Sequence, residues 1–198
     1  MPPLISGAAP LILASGSRYR AELLARLRLP FVAESSQVDE TPLAGEGPSA
    51  LASRLARAKA LAVAAKRPDR WVLGSDQVAT FEGKLLGKPG TRAAAIAQLE
   101  AQSGRAVEFI TAVALVAPPA GTLDYVDRTV VRFRELTRSE IKRYVEAEPA
   151  LDCAGSFKCE GLGISLTTAI ETQDPTALIG LPLIAVRELL ARAGHPLP

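Results

Sequence analysis

The stretch Trp71–Ala79, with the sequence WVLGSDQVA, constrains the fold more than any other part of this chain. It begins with apolar β-forming residues and reaches Gly74-Ser75, a pattern that predicts a buried strand ending at a small-residue bend. Asp76 is then expected at a strand end, where α/β sheets gather their ligands and where a carboxylate can bind a metal or accept a proton from water. An aspartate that caps a turn through its own backbone is the alternative.

A second strand-to-helix junction follows Leu11–Ala14, four apolar residues that predict a short buried strand. Ser17 is a suitable N-cap for a helix over residues 18–27, and the backbone N–H groups at such a helix start favour an anion. Arg18 and Arg20 lie in the first turn, where the helix dipole disfavours cations, and such local rules are broken mainly at functional sites. Arg20 can form a bidentate pair with a phosphate; two solvated arginines on a surface helix are the alternative.

Two further charged residues lie in segments that restrain the backbone. Glu40 precedes Pro42 in a turn-rich segment and is a candidate second carboxylate for a cation. Lys88 lies between Gly87 and Pro89, which would hold its charge in a fixed place. A solvated acidic loop and an ordinary polar turn are the alternatives for the two sites.

An alanine-rich helix is predicted from Pro48, at its first position, to Lys66. Lys59 falls at the border of the predicted apolar face, so its ammonium either extends to solvent or meets an anionic group. Arg54 occupies a similar border, and the pattern alone does not favour Lys59. The predicted apolar face consists of Leu51, Leu55, Ala58 and Ala62.

The rest of the pattern predicts alternating strands and helices without an internal repeat or a long linker, so we expect one domain, 1–198, or two intimately joined lobes. Residues 1–9 are expected to form a loose leader. A glycine-rich loop covers residues 154–163. The other predicted elements are a hairpin at 78–86, a helix capped by Thr91, long antiparallel strands at 107–116 and 123–133, a helix that begins at the Thr137 capping box, and a helix at 182–192.

Charge and composition exclude several classes of protein. The net charge is only +2, from 23 basic and 21 acidic residues, which argues against a protein that coats nucleic acid. The start has no cationic signal region and no apolar run long enough to span a membrane, so a cytoplasmic location is expected. Cys153 and Cys159 match no zinc motif and are expected to be reduced thiols. The single histidine, His195, is expected to be an exposed imidazole without a role, so a Ser-His-Asp catalytic triad is not expected.

Seven short motifs, in order along residues 10–190, resemble those of the Maf family of nucleoside triphosphate pyrophosphatases. They are LASGSRYR at 13–20, VDET at 38–41, AKA at 58–60, GSDQV at 74–78, GKP at 87–89, AGSFKCEG at 154–161 and IGLPL at 179–183. Ser75-Asp76-Gln77 is similar to the branch that acts on 7-methyl-GTP, whereas the dTTP/UTP branch carries Ala-Asp-Thr there.

The resemblance implies an elongated α/β fold of the Maf and inosine-triphosphatase type, with a twisted mixed sheet and a nucleotide cleft between two lobes. It also implies a cytoplasmic enzyme that needs a divalent cation, Mg²⁺ or Mn²⁺, and that often forms a homodimer. By the family's pattern, Asp76 is the proton acceptor and a metal ligand with Glu40. The same pattern implies that the residues contacting phosphate are Ser15, Arg20, Lys59 and Lys88. It implies that the residues discriminating the base are Tyr19, Gln77 and Glu160.

Two positions depart from the family's pattern, which usually has proline at Arg18 and, in this branch, tryptophan at Tyr19. Tyrosine keeps a stacking face for a cationic methylated purine, although Tyr19 can instead be a core aromatic residue on its helix. The activity implied is attack of water on the α-phosphorus, which yields the nucleoside monophosphate and pyrophosphate and would remove modified nucleotides. The alternatives are a dTTP/UTP pyrophosphatase and a nucleotide-binding regulator of septum formation.

Overall fold

The computed structural model describes residues 5–118 and 120–198. The strands within this part of the chain are β1 (Leu11–Leu13), β2 (Phe31–Ala33), β3 (Val72–Phe81), β4 (Lys84–Leu86), β5 (Ala106–Ala117), β6 (Gly121–Phe133) and β7 (Thr167–Glu171). The α-helices are α1 (Arg18–Ala25), α2 (Pro48–Ala64), α3 (Arg92–Gln102), α4 (Arg138–Ala147) and α5 (Leu183–Arg192). Short 3₁₀ helices cover Ala154–Ser156 and Leu162–Leu166.

The strands form a mixed sheet in the order β2-β1-β3-β5-β6-β7, with β4 paired to β3 off this path. β1 is parallel to both β2 and β3, whereas β4 is antiparallel to β3 and β7 is antiparallel to β6. Parallel strands connected through helices, together with hairpin-type pairs, are the mark of an α/β fold with a mixed sheet. The α/β fold expected from the sequence is therefore confirmed, and the nucleotide cleft between two lobes stays a prediction.

The chain divides into two compact units. The first extends to Gln77 and includes Thr111–Asp127 and Asp174–Pro198. Its core is built from aliphatic side chains of β1, β3, β5, α1 and α5, many of them fully buried. The predicted leader, 1–9, lies partly outside the described residues, since 1–4 are not described, and its Ile5 packs into this core.

The second unit comprises Val78–Ile110 and Arg128–Gln173. Phe157 contacts the rings of Phe109 and Phe133, with centroids 6.3 and 5.3 Å away. The predicted hairpin is confirmed: β3 and β4 meet at Glu82-Gly83, both with positive φ, as a type I′ hairpin turn requires. Among the described residues, no helix has the length together with the apolar character that crossing a bilayer requires.

The structure corrects the sequence-based interpretation of the central stretch. β3 does not end at Gly74-Ser75 but continues to Phe81, so Asp76 lies in the middle of a strand. Gly74 does not form a bend; it lets the backbone of α2 approach the strand closely. A Cβ at Gly74 would overlap the carbonyl oxygen of Ala56 and lie 2.7 Å from the amide nitrogen of Ala60. Helix α2 therefore packs with its backbone against β3 directly beside Asp76.

The buried face of α2 also differs from the prediction. Its buried residues include Ala52, Ala56, Lys59, Ala60 and Val63 beside the predicted leucines, whereas the predicted Ala58 and Ala62 are only half-buried. Lys59 thus lies within the packed face and not at its border. The hydrophobic pattern predicted the wrong buried face because alanines occur all around this helix. The close approach of the helix to Gly74 on β3 determines which of these alanines are packed.

Two strands and one side chain were not anticipated. β2 and β7 lie at the two ends of the strand order and are mostly exposed, so neither shows a buried apolar run. The prediction of an exposed imidazole at His195 is wrong, because the ring is half-buried with its centroid 6.0 Å from that of Trp71 in an edge contact. Both cysteines are free, as predicted.

Candidate active site

Asp76 and Lys59 form a buried ion pair in the first unit. Asp76 projects from the middle of β3, and Lys59 extends from the face of α2 that packs on this strand. Lys59 Nζ lies 2.6 Å from Asp76 Oδ1, and the two side chains are 8% and 9% exposed. Two charges removed from water in this way need each other, because either alone would carry a large desolvation penalty.

Glu40 meets the same ammonium from the solvent side. Its Oε1 lies 2.6 Å from Lys59 Nζ, and its side chain is 61% exposed. Glu40 and Asp76 therefore converge on a single positive group, although they come from a loop and a strand that are far apart in the sequence. The two acidic residues predicted as cation ligands thus lie close together, and their role as ligands stays a prediction.

The loop that carries Glu40 is held by Arg54 of α2. Arg54 binds both carboxylate oxygens of Glu46, at 2.6 and 2.8 Å, and donates to the carbonyl of Thr41 at 3.1 Å. The guanidinium of Arg54 lowers the pKa of Glu46 to about 2, so this bidentate pair is ionised over the usual pH range. α2 thus presents Lys59 and anchors the loop of Glu40, a role for Arg54 that the sequence did not reveal.

Arg20 lies in the first turn of α1, whose N-cap Ser17 accepts a hydrogen bond from the Arg20 amide. Its Nε donates to the carbonyl of Gly180 at 3.0 Å, and its guanidinium nitrogen donates to Ser15 Oγ at 3.3 Å. Burial lowers the pKa of Arg20, while the charges of Asp76 and Glu40 act to raise it. A cation in the first turn of a helix is disfavoured by the helix dipole, and here the charges of Asp76 and Glu40 offset that effect for Arg20.

The acid-base properties of Asp76 follow from its surroundings. Burial raises the pKa of Asp76, and Glu40 adds to that rise, while Lys59 and then Arg20 oppose it. A buried carboxylate with a raised pKa is a stronger base than one in water, and such groups gather at functional sites.

Residues 10–193 match the Maf family, described as Maf-like protein. The chain belongs to the Maf family. It is 63% identical over 188 residues to a 7-methyl-GTP pyrophosphatase of Xanthomonas oryzae pv. oryzae (strain MAFF 311018), covering 95% of this chain and 98% of that protein. A 7-methyl-GTP pyrophosphatase of Burkholderia thailandensis is 56% identical over 191 residues, with 94% and 89% covered. A solved dITP/XTP pyrophosphatase of Mycobacterium abscessus aligns with a TM-score of 0.43 and 20% identity, over 62% of this chain and 73% of that chain.

The site residues predicted from the Maf motifs belong to two different units. Ser15, Arg20, Glu40, Lys59 and Asp76 come together in the first unit. Lys88 and Glu160 belong to the second unit, where both side chains are exposed. Their predicted contacts with phosphate and base stay predictions.

Tyr19 and Gln77, the other two predicted base-contacting residues, have partners within the first unit. Tyr19 is half-buried, and Arg18 covers its ring with the guanidinium carbon 4.9 Å from the centroid. The side-chain nitrogen of Gln77 donates to Thr111 Oγ1 and to the carbonyls of Ala177 and Leu178, all at 3.0 Å. A direct contact of Gln77 with a base would therefore have to use its amide oxygen.

The donor chemistry of the site fits a hard divalent cation. Carboxylate oxygens are the ligands that Mg²⁺ and Mn²⁺ prefer, and Glu40 and Asp76 already share one positive partner. Within residues 5–118 and 120–198, no three His, Cys, Asp or Glu side chains cluster closely enough to hold a metal by themselves. Mg²⁺ commonly binds through one or two carboxylates together with substrate phosphates, so a site with two carboxylates is sufficient.

Proposed function

We propose that this chain is a nucleoside triphosphate pyrophosphatase that hydrolyses 7-methyl-GTP to 7-methyl-GMP and pyrophosphate. The observation that carries the proposal is the convergence of Glu40, Asp76, Lys59 and Arg20 in one compact unit. Carboxylates for a cation beside two fixed positive charges are what binding and cleaving a triphosphate require. Membership of the Maf family and the names of the relatives support the choice of substrate.

In the proposed reaction, Asp76 accepts a proton from a water molecule whose oxygen attacks the α-phosphorus. The bond between the α-phosphorus and the bridging oxygen breaks, and pyrophosphate leaves with the bonding electrons. The raised pKa of Asp76 suits this role, and Arg20 and Lys59 neutralise charge on the phosphate oxygens. Glu40 and Asp76 would hold Mg²⁺ or Mn²⁺, which when bound supplies further neutralisation of the triphosphate.

The remaining assignments rest on the Maf motifs. Ser15 and Lys88 are proposed to contact phosphate oxygens, and Tyr19, Gln77 and Glu160 to recognise the base. The positive charge of a 7-methylated purine would favour stacking on the Tyr19 ring. A homodimer and a cytoplasmic location belong to the same proposal; the two free thiols are consistent with a reducing compartment.

The proposal is tested by measuring pyrophosphate release from 7-methyl-GTP, GTP, dTTP and UTP with Mg²⁺ and with Mn²⁺. We expect 7-methyl-GTP to be preferred, and Asp76→Asn to lower kcat by about 10²–10⁴-fold, the range for loss of a general base. Asp69→Asn, at an exposed position, is the matched control.

Three outcomes would each contradict a part of the proposal. A preference for dTTP or UTP would remove 7-methyl-GTP as the substrate, and near wild-type turnover by Asp76→Asn would remove Asp76 as the base. Nucleotide binding without any release of pyrophosphate would contradict the enzymatic function itself.

A further inference from the structure

One short loop of the first unit accepts hydrogen bonds from three different elements. The carbonyl of Gly180 accepts from Arg20 Nε on α1 and from Ser75 Oγ on β3, each at 3.0 Å. Two and three residues earlier, the carbonyls of Leu178 and Ala177 accept from Gln77 on β3. The carbonyl of Ala177 also accepts from Thr111 on β5 at 2.9 Å. The carbonyl groups of this loop therefore connect the helix that carries Arg20 with the strand that carries Asp76.

The loop is itself fixed to the start of α5. The carboxylate of Asp174, a buried residue, accepts from the amide and hydroxyl of Thr176 at 2.9 and 2.6 Å and from the amide of Ile184 at 2.7 Å. Thr176 Oγ1 in turn accepts from the amide of Leu183 at 2.8 Å. These bonds tie the two ends of the loop to each other and to the helix, and Gly180 lies between the tied ends.

The two β3 residues bound to the loop lie on either side of Asp76. Successive side chains of a strand point to opposite faces, so Ser75 and Gln77 point to one face, and Asp76 points with Gly74 to the face covered by α2. Ser75 is fully buried and Gln77 is half-buried. The loop therefore holds the strand at the residues immediately before and after the carboxylate.

The shared carbonyl requires a glycine at position 180. Its φ is +126°, a conformation that side-chain-bearing residues rarely adopt, and a Cβ there would lie 3.6 Å from Arg20 Nε. The positive φ of Gly180 therefore places its carbonyl oxygen within hydrogen-bonding distance of both Arg20 and Ser75.

We propose that Ser75 is a positioning residue for the triphosphate site. Its hydroxyl fixes the Gly180 carbonyl, which in turn fixes the guanidinium of Arg20 in the orientation that binds phosphate. Without the hydroxyl, the Gly180 carbonyl loses one of its two side-chain donors and Arg20 is held less firmly. This inference rests on the proposed function in that it takes phosphate as the ligand of Arg20.

A double-mutant cycle tests the coupling of Ser75 to Arg20. Ser75→Ala is expected to lower kcat/KM for 7-methyl-GTP about tenfold in the wild-type background, and less than about twofold in an Arg20→Lys background, where the Nε donor is already gone. Thr111→Val is the matched control, since it removes a donor to the same loop without touching Gly180. Its effect is expected to be the same in both backgrounds.

A second measurement makes the outcome independent of turnover. The affinity for inorganic pyrophosphate, measured by calorimetry, is expected to fall about tenfold in Ser75→Ala and to be unchanged in Thr111→Val. If wild-type protein binds pyrophosphate in this Ser75-dependent way yet hydrolyses no nucleotide, the proposed function fails and the positioning role stands.

Equal losses from Ser75→Ala in the two Arg20 backgrounds, or an unchanged pyrophosphate affinity, would overturn the proposal. If Ser75→Ala does not fold, Ser75→Cys replaces it, because a thiol keeps a comparable volume and a weaker donor. The smaller loss of kcat/KM in Ser75→Cys must likewise disappear in the Arg20→Lys background. A loss of kcat/KM that persists in that background would also overturn the proposal.

Discussion

Replacing Lys59 by methionine would remove the ammonium from the ion pair while keeping a long unbranched side chain between the alanines of α2. Lys59 and Asp76 are both buried, and removal of one partner of a buried pair costs about 3–5 kcal/mol. We expect the lower end, about 3 kcal/mol, because Asp76 can escape part of the penalty by taking up a proton. For a chain of 198 residues this corresponds to a decrease in Tm of about 6–12 °C.

The loss of stability in Lys59→Met should depend on pH in a defined direction. The pKa of Asp76 is already above its ordinary value of 3.8, and loss of the Lys59 charge raises it further. Between 3.8 and the raised pKa, the folded state binds more protons than the unfolded state, so the free energy of unfolding decreases as pH rises. The loss of stability in Lys59→Met is therefore largest above the raised pKa of Asp76, and it becomes smaller as the pH falls through that pKa. Urea unfolding of mutant and wild type from about pH 5 to 8 measures this difference.

Two controls accompany this measurement. Lys66→Met removes an exposed lysine just beyond α2 and should leave stability unchanged. The double variant Lys59→Met with Asp76→Asn should recover much of the lost stability, because no unpaired charge is then buried. A loss that is the same at every pH and is not recovered in the double variant would show that packing, and not the ion pair, explains it.

Three further predictions follow from the same site. Gly74→Ala should destabilise the protein by about 3 kcal/mol or prevent folding, because the methyl group would overlap the α2 backbone, whereas Gly87→Ala, which meets nothing within 4 Å, should be neutral in urea unfolding. Arg54→Lys loses the bidentate pair with Glu46 and should loosen the loop of Glu40, which should raise KM for the nucleotide-metal complex about tenfold. Arg57→Lys, at an exposed ion pair with Asp124, is the control. Chelation with EDTA should abolish pyrophosphate release, and added Mg²⁺ or Mn²⁺ should restore it; turnover that survives chelation would contradict a role for the metal.

Features that depend on neighbouring residues could be predicted from the sequence. The helix starts at Ser17, Thr91 and Thr137 are confirmed, each with a side-chain oxygen that accepts from the backbone. The hairpin turn at Glu82-Gly83 is confirmed as well. In each case the residues that determine the structure lie within three positions of one another, so the pattern contains the physical cause.

Features that depend on contacts between distant segments could not be predicted in the same way. The continuation of β3 through Gly74 and the burial of Lys59 both follow from the packing of α2, which no local pattern reveals. The motif containing Ser75 marked the branch of the family, but its bond to Gly180 joins residues 105 positions apart. Nothing in the local sequence indicates that Ser75 and Arg20 share one acceptor.

The contact between Gly74 and α2 also limits how this site can change by mutation. A side chain at position 74 would meet a carbonyl oxygen and an amide nitrogen, which every amino acid carries. A second substitution on the helix can shrink a neighbouring side chain but cannot remove those backbone atoms. A selection for suppressors of Gly74→Ala should therefore recover reversion to glycine and no compensating replacement at Ala56 or Ala60.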